Sequence, residues 1–174
     1  QARLSSRQSS LMFYELDKIL NSIQQGGEDF IQKGTKTAQT LHQIAERVHK
    51  RSLVILFTDM FTDSAESNEE LFSALQHLRY KKHEVILFHV LDRSTEEQFQ
   101  YFNRPYRFVD LESGQEMKFN PNEIREDYTN RVNEFFNELK LRCGQYRIDL
   151  VNVDVKDNFK DVLLPYLIKR KRLH

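Results

Sequence analysis

Apolar residues recur along this chain with two periods, and the switches between them lay out its elements. Leu11, Tyr14, Leu16, Ile19, Leu20 and Ile23 fall at helical spacing and predict a first helix from about Ser9 to Gln25. Gln24-Gln25-Gly26-Gly27 stops it, because glycine enters the left-handed conformation in which helices commonly end. The Ser-rich stretch 1–10 shows no periodicity and is expected to be an extended lead-in to a folded part spanning 11–174. A second stripe, Ala38, Leu41, Ile44, Ala45 and Val48, predicts a helix after Thr35, and His49-Lys50-Arg51 places positive charge where the helix dipole favours it.

The helical period then gives way to unbroken apolar runs. Ser52-Leu53-Val54-Ile55-Leu56-Phe57 and Glu84-Val85-Ile86-Leu87-Phe88-His89-Val90-Leu91 lack polar alternation, the pattern of strands covered on both faces of a parallel sheet. Leu71, Leu75 and Leu78 mark a helix between them, from about Ser67 to Lys82. The unit therefore reads as two parallel strands joined by a right-handed helical crossover. Arg107 to Leu111 and Gln115 to Phe119 flank Glu112-Ser113-Gly114 and predict a small hairpin. Asn120-Pro121 opens a long helix to about Cys143, with Ile124, Tyr128, Val132, Phe135, Phe136 and Leu139 inward. A third buried strand, Arg147 to Val153, and a last helix, Asp157 to Arg170, follow. The fold class is α/β, a mostly parallel sheet between helical layers.

Composition narrows the possible partners more than the fold. At 174 residues the chain suits a single core. Lys plus Arg and Asp plus Glu both total 26, so no net field draws the domain to nucleic acid, and Lys169-Arg170-Lys171-Arg172 reads as a solvated terminus. The apolar runs fall well short of the roughly 20 residues that cross a bilayer, so no membrane segment is expected. The single cysteine, Cys143, has no internal disulfide partner and no second Cys or His at zinc-ligand spacing. A cytoplasmic setting and an inert, half-buried thiol are the simplest expectations.

Candidate chemistry gathers where parallel strands end. Ligands of open α/β sheets bind beyond the carboxyl ends of the strands, where this sequence places Thr58-Asp59, Asp63, Asp92 and Asp154. Such acids cap the helices that follow strands; they are also hard oxygen ligands suited to Mg²⁺, with Asp59 and Thr35 as the pair to supply it if their loops converge. No Gly-rich phosphate loop, G-x-S-x-G elbow or H-E-x-x-H occurs, and five glycines leave little for a tight cradle. His42, His49, His77, His83 and His89 lie on separate elements, and His89, inside a strand, is expected to be buried and hydrogen-bonded. Glu96-Glu97 and Asp127 read as exposed helix faces.

Several segments, in order, carry a family resemblance. Lys33-Gly34-Thr35 precedes Leu41-His42-Gln43-Ile44-Ala45-Glu46-Arg47, and Arg51 to Met60 reads RSLVILFTDM. Lys82 to Asp92 reads KHEVILFHVLD, and Phe108-Val109-Asp110-Leu111-Glu112-Ser113-Gly114, Ile124-Arg125-Glu126-Asp127-Tyr128 and Tyr166 to Arg170 complete the set. From about Ser6 onward the chain resembles the MoxR-associated von Willebrand factor A-like family, known as domain of unknown function family fifty-eight.

The resemblance implies a von Willebrand A-like, Rossmann-type three-layer sandwich. It also implies work beside a MoxR-type AAA+ ATPase in chaperone-like assembly or maturation of client proteins. In that fold a metal-ion-dependent adhesion site draws on an Asp-x-Ser-x-Ser loop, a Thr and an Asp; Thr35 and Asp59 match the last two. No Asp-x-Ser-x-Ser occurs in the chain, and the family's first three strands are expected upstream of Gln1. The partial site is therefore expected to be empty of metal in this chain, with Mg²⁺ possible in a longer one, and no other cofactor is expected. The strand Leu53 to Phe57 is expected to become an exposed edge open to a second copy.

The leading expectation is a non-catalytic protein-interaction module gripping partners through the carboxyl end of its sheet, with Asp63 and Asp92 as partner-binding candidates. The alternative is a Mg²⁺-dependent hydrolase or nuclease using Asp59, Asp63 and Asp92.

Overall fold

The computed structural model describes residues 6–24, 37–59, 65–109 and 116–173. The elements run α1 (Ser6–Gln24), α2 (Thr37–Arg47), β1 (Leu53–Thr58), α3 (Ala65–Tyr80), β2 (Glu84–Leu91), β3 (Tyr106–Val109), β4 (Glu116–Phe119), α4 (Pro121–Tyr146), β5 (Asp149–Asp154) and α5 (Phe159–Leu173). This is the predicted order, with one wide π turn at Arg93–Glu97 added. The chain divides into two units, residues 36–106 with 119–174, and residues 1–35 with 107–118.

The larger unit is built on a three-stranded sheet ordered β1-β2-β5. Both pairings are parallel, as the two apolar runs predict, with Val54 opposite Val85, Phe57 opposite Phe88 and Leu87 opposite Leu150. Because successive side chains of a strand point to opposite faces, this register sorts the sheet into two sides. On one side Val54, Val85 and Leu87 join Leu71, Leu75 and Leu139 in the core, so α3 and α4 pack there, with Leu41 and Ala45 of α2 completing the cluster. Arg142 of α4 fastens these layers: its guanidinium lies over the Phe72 ring at 5.3 Å and bonds Glu69 of α3 at 2.7 Å. On the other side α5 crosses β2, with Tyr166 edge-on to Phe88 at 5.8 Å and Arg170 paired to Glu84 at 2.7 Å.

Coverage of the strands departs from the expectation in an informative way. The central strand β2 is buried on both faces as predicted, Ile86 and Phe88 included. In β1, by contrast, only Val54 is buried, and β5 is half-covered except at exposed Asn152. The unbroken apolar run of β1 reflects a position that could be covered twice; in this sheet it lies at an edge, so Leu53, Ile55 and Phe57 remain exposed.

The helix boundaries shift for a local reason. α3 and α4 end without glycine, on Lys82 (φ 64°) and Arg147 (φ 56°) in the left-handed region. His83 N donates to Leu78 O at 3.2 Å, and Ile148 N to Cys143 O at 2.8 Å, the wide bonds that close a Schellman-type helix end. A chain whose stops are Lys and Arg gives no composition signal for them, and α4 runs three residues past its predicted end at Cys143. Its start is better marked: Asn120 caps it, accepting from Asn122 N at 3.2 Å, with Pro121 in the first turn.

In the smaller unit α1 begins at Ser6, inside the stretch expected to be extended, and its apolar residues Leu11, Tyr14, Leu16 and Leu20 are exposed. Strands β3 and β4 pair in a two-stranded sheet of their own, braced by Arg107 and Glu116 at 3.3 Å. The expected helix stop at Gly26-Gly27 and the hairpin turn around Gly114 lie outside the described residues.

Candidate functional site

At the carboxyl end of the parallel sheet a solvent-open cleft of about 130 Å³ lies between the strand ends and α4. Asp59, His89, Glu96 and Tyr128 line it over an apolar floor of Leu91, Val132 and Phe136. Each polar group arrives by a different local device.

Asp59 follows β1 directly, and its position is fixed by its neighbour strand. Thr58 is in register with His89, so the peptide group of Asp59 passes the imidazole. His89 is buried, edge-on to Phe136 at 4.9 Å, and its Nε2 lies 2.8 Å from the Asp59 carbonyl oxygen. A carbonyl only accepts, so Nε2 carries the proton and donates it. The buried histidine expected from sequence thus holds the backbone of Asp59, while Asp59 itself stays exposed.

Asp92, one residue past β2, is committed to building a turn. Its Oδ1 accepts from Ser94 N at 3.0 Å, Ser94 Oγ at 2.6 Å and Thr95 N at 3.4 Å, and Lys156 Nζ sits 2.8 Å away and also bonds Ser94 Oγ. The Lys156 ammonium, and then the Ser94 hydroxyl, hold this carboxyl well below the usual carboxylate range. The turn it caps, Arg93–Glu97, carries Glu96 to the cleft, and Glu96 Oε2 in turn accepts from Asp92 N at 3.2 Å. Asp154, at the end of β5, is used similarly, accepting from Lys156 N at 3.0 Å. Of the three strand-end acids described, Asp92 and Asp154 shape turns and Asp59 presents itself at the cleft.

Tyr128 comes from the inward stripe of α4 and is backed by Phe99, whose ring centre is 4.4 Å from its own. Phe99 is buried in the left-handed region at φ 47°, a conformation costing a non-glycine residue roughly 1 kcal/mol or more. The backbone beside the cleft is therefore held in place by burial of this ring.

Among the residues singled out from sequence, Asp59 lines the cleft, and Asp92 adjoins it through Glu96. Thr35 and Asp63 lie outside the described residues. Sequence reasoning missed Glu96, read as an exposed helix residue. Asp92 directly after a strand and before Ser94-Thr95 is an N-cap signal that would have placed Glu96 on a turn beginning at a strand end. Tyr128 was recognised only as an inward position, since nothing in helical periodicity separates a cleft from a core.

Among the described residues no group of three or more His, Cys, Asp or Glu is arranged to hold a metal ion, and no helix is long and apolar enough to cross a membrane. Cys143 is buried on the core face of α4, and burial pushes its thiol up to about 11, so little reactive thiolate forms near neutrality.

No curated protein and no solved structure matches the chain. A family model does: the one described as "Protein of unknown function DUF58" matches residues 10–138. With most of its length matched, from α1 into α4, this chain belongs to the DUF58 family.

Proposed function

We propose that this protein is a non-catalytic protein-interaction module of von Willebrand A-like fold. On this reading it works beside a MoxR-type AAA+ ATPase in chaperone-like assembly or maturation of other proteins. The observation that carries the reading is the placement of Asp59. It stands exposed at the carboxyl end of a parallel strand, its backbone fixed by buried His89, at the mouth of a cleft whose floor is apolar. A fixed carboxylate above an apolar floor suits a partner segment bearing a cation beside an apolar side chain, with affinity drawn from the apolar contact and register from the charge.

A magnesium-bridged grip of the adhesion-site kind needs a near-octahedral oxygen set. The described residues offer Asp59 toward it, which does not make such a site, and the proposed contact does not depend on a metal.

The test is titration of a purified MoxR-type AAA+ ATPase from the source organism against the chain and its Asp59→Ala variant. Saturable binding is expected, weakened at least about tenfold by the substitution, equivalent to about 1.4 kcal/mol. Absence of binding, or binding indifferent to Asp59, overturns the reading. Turnover of a phosphoester that disappears in Asp59→Ala would assign a Mg²⁺-dependent hydrolase instead.

A further inference from the structure

A second group of titratable side chains lies away from the cleft, where α2 meets α3. His42 and Glu46 are one turn apart on α2, and Lys81, the residue after α3, lies one turn beyond His77 with its N–H on the His77 carbonyl, so each pair shares a face. Across the junction the Nδ1 atoms of His42 and His77 approach to 2.9 Å, with ring centres 5.1 Å apart and planes tilted by 44°. His77 Nε2 lies 2.9 Å from Glu46 Oε1, and Lys81 Nζ 2.9 Å from Glu46 Oε2.

Two imidazole nitrogens pointed at each other can share one proton and no more. The Glu46 carboxylate accepts a hydrogen bond from His77 Nε2–H, which leaves His77 Nδ1 as the nitrogen with the lone pair, directed at His42 Nδ1. An imidazole whose far N–H is bound by a carboxylate is the arrangement that orients metal-ligating histidines and raises their basicity. Lys81, bonded to the second oxygen of Glu46, holds that carboxylate in position.

We propose that His42 and His77 bind a borderline divalent d-block ion, of which Zn²⁺ is the probe, through their Nδ1 atoms, with Glu46 as the outer carboxylate on His77. Imidazole nitrogen is a preferred donor for such ions. Zinc–nitrogen bonds of about 2.0–2.1 Å at a tetrahedral angle place two nitrogens roughly 3.3 Å apart, so the pair must open by about 0.4 Å and each ring must turn to bring its Nδ1 lone pair off the N···N line. Both rings are partly exposed, and water completes the coordination. Two protein ligands make this a site of modest affinity whose effect is to tie α2 to α3, the helices flanking β1 in sequence. The site is independent of the partner-binding reading of the cleft.

The experiment is calorimetric titration of the tag-free chain with zinc chloride near pH 7.5, where imidazole is largely neutral. One ion per chain is expected, abolished by His42→Gln and by His77→Gln and weakened about tenfold by Glu46→Gln, the usual cost of losing an outer-shell partner. Circular dichroism verifies that each variant is folded. Should one fail to fold, proton–nitrogen correlation spectra of the unaltered chain decide, since zinc must shift two imidazoles at Nδ1. No uptake at millimolar zinc, uptake that survives both histidine substitutions, or coordination at other histidines overturns the proposal.

Discussion

The two sides of the central sheet carry similar apolar side chains and fare differently. On the side facing α3 and α4, Leu75, Leu78 and Leu87 are fully buried. On the side crossed by α5, burial reaches Ile86 and Phe88 and stops, leaving Ile55 48% and Phe57 67% exposed one strand away. The Phe57 ring stacks on Phe88 at 4.8 Å, so the apolar surface continues from the covered strand onto the uncovered one. Leu164, Leu167 and Ile168 of α5 are exposed as well. Adjacent strands of like composition therefore differ in burial because the helical cover ends between them, and not because their side chains differ in kind.

The largest effect expected from this comparison is at Leu75. Leu75→Ala opens a cavity in the finished side and is expected to cost about 2–5 kcal/mol, whereas Ile55→Ala, already half in water, is expected to change stability by about 0.5 kcal/mol or less. Urea unfolding of the two variants checks the ratio. Equal losses would mean that the two sides are equally packed in solution.

Next comes association. An edge strand that shows unpaired backbone and apolar side chains invites pairing with another chain, and Lys on such an edge blocks it. The chain is expected to self-associate through β1, and Ile55→Lys combined with Phe57→Lys to return it to monomer, as read by sedimentation. A strictly monomeric parent at high concentration contradicts this.

The smallest effect is at the ion pair tying α5 to β2. Glu84→Gln is expected to lower stability by roughly 0–1 kcal/mol, less at high salt, because the pair is partly solvated. A loss of several kcal/mol would show that α5 holds its side of the sheet through charge and not through the contact of Tyr166 with Phe88.

Much of the fold was legible because periodicity records burial. The order of elements, the direction of β1 beside β2 and the inward stripe of α4 follow from apolar spacing alone. What spacing could not reveal was how far the cover extends: RSLVILFTD and KHEVILFHV read alike, yet one strand lies at an edge and the other at the centre. The site was partly legible. Asp59 followed from the rule that parallel sheets bind at their carboxyl ends, but Asp92, drawn from the same rule, caps a turn in its place. His42 and His77, thirty-five positions apart on separate helices, meet only through tertiary packing.

The most direct test of the account is hydrogen–deuterium exchange of the chain with and without the AAA+ ATPase. Binding at the carboxyl rim predicts slowed exchange in the peptides covering Phe57 to Asp59 and Asp92 to Gln98, with α2 unchanged. Protection confined to α2 and α3, or to the amino ends of the strands, would contradict it.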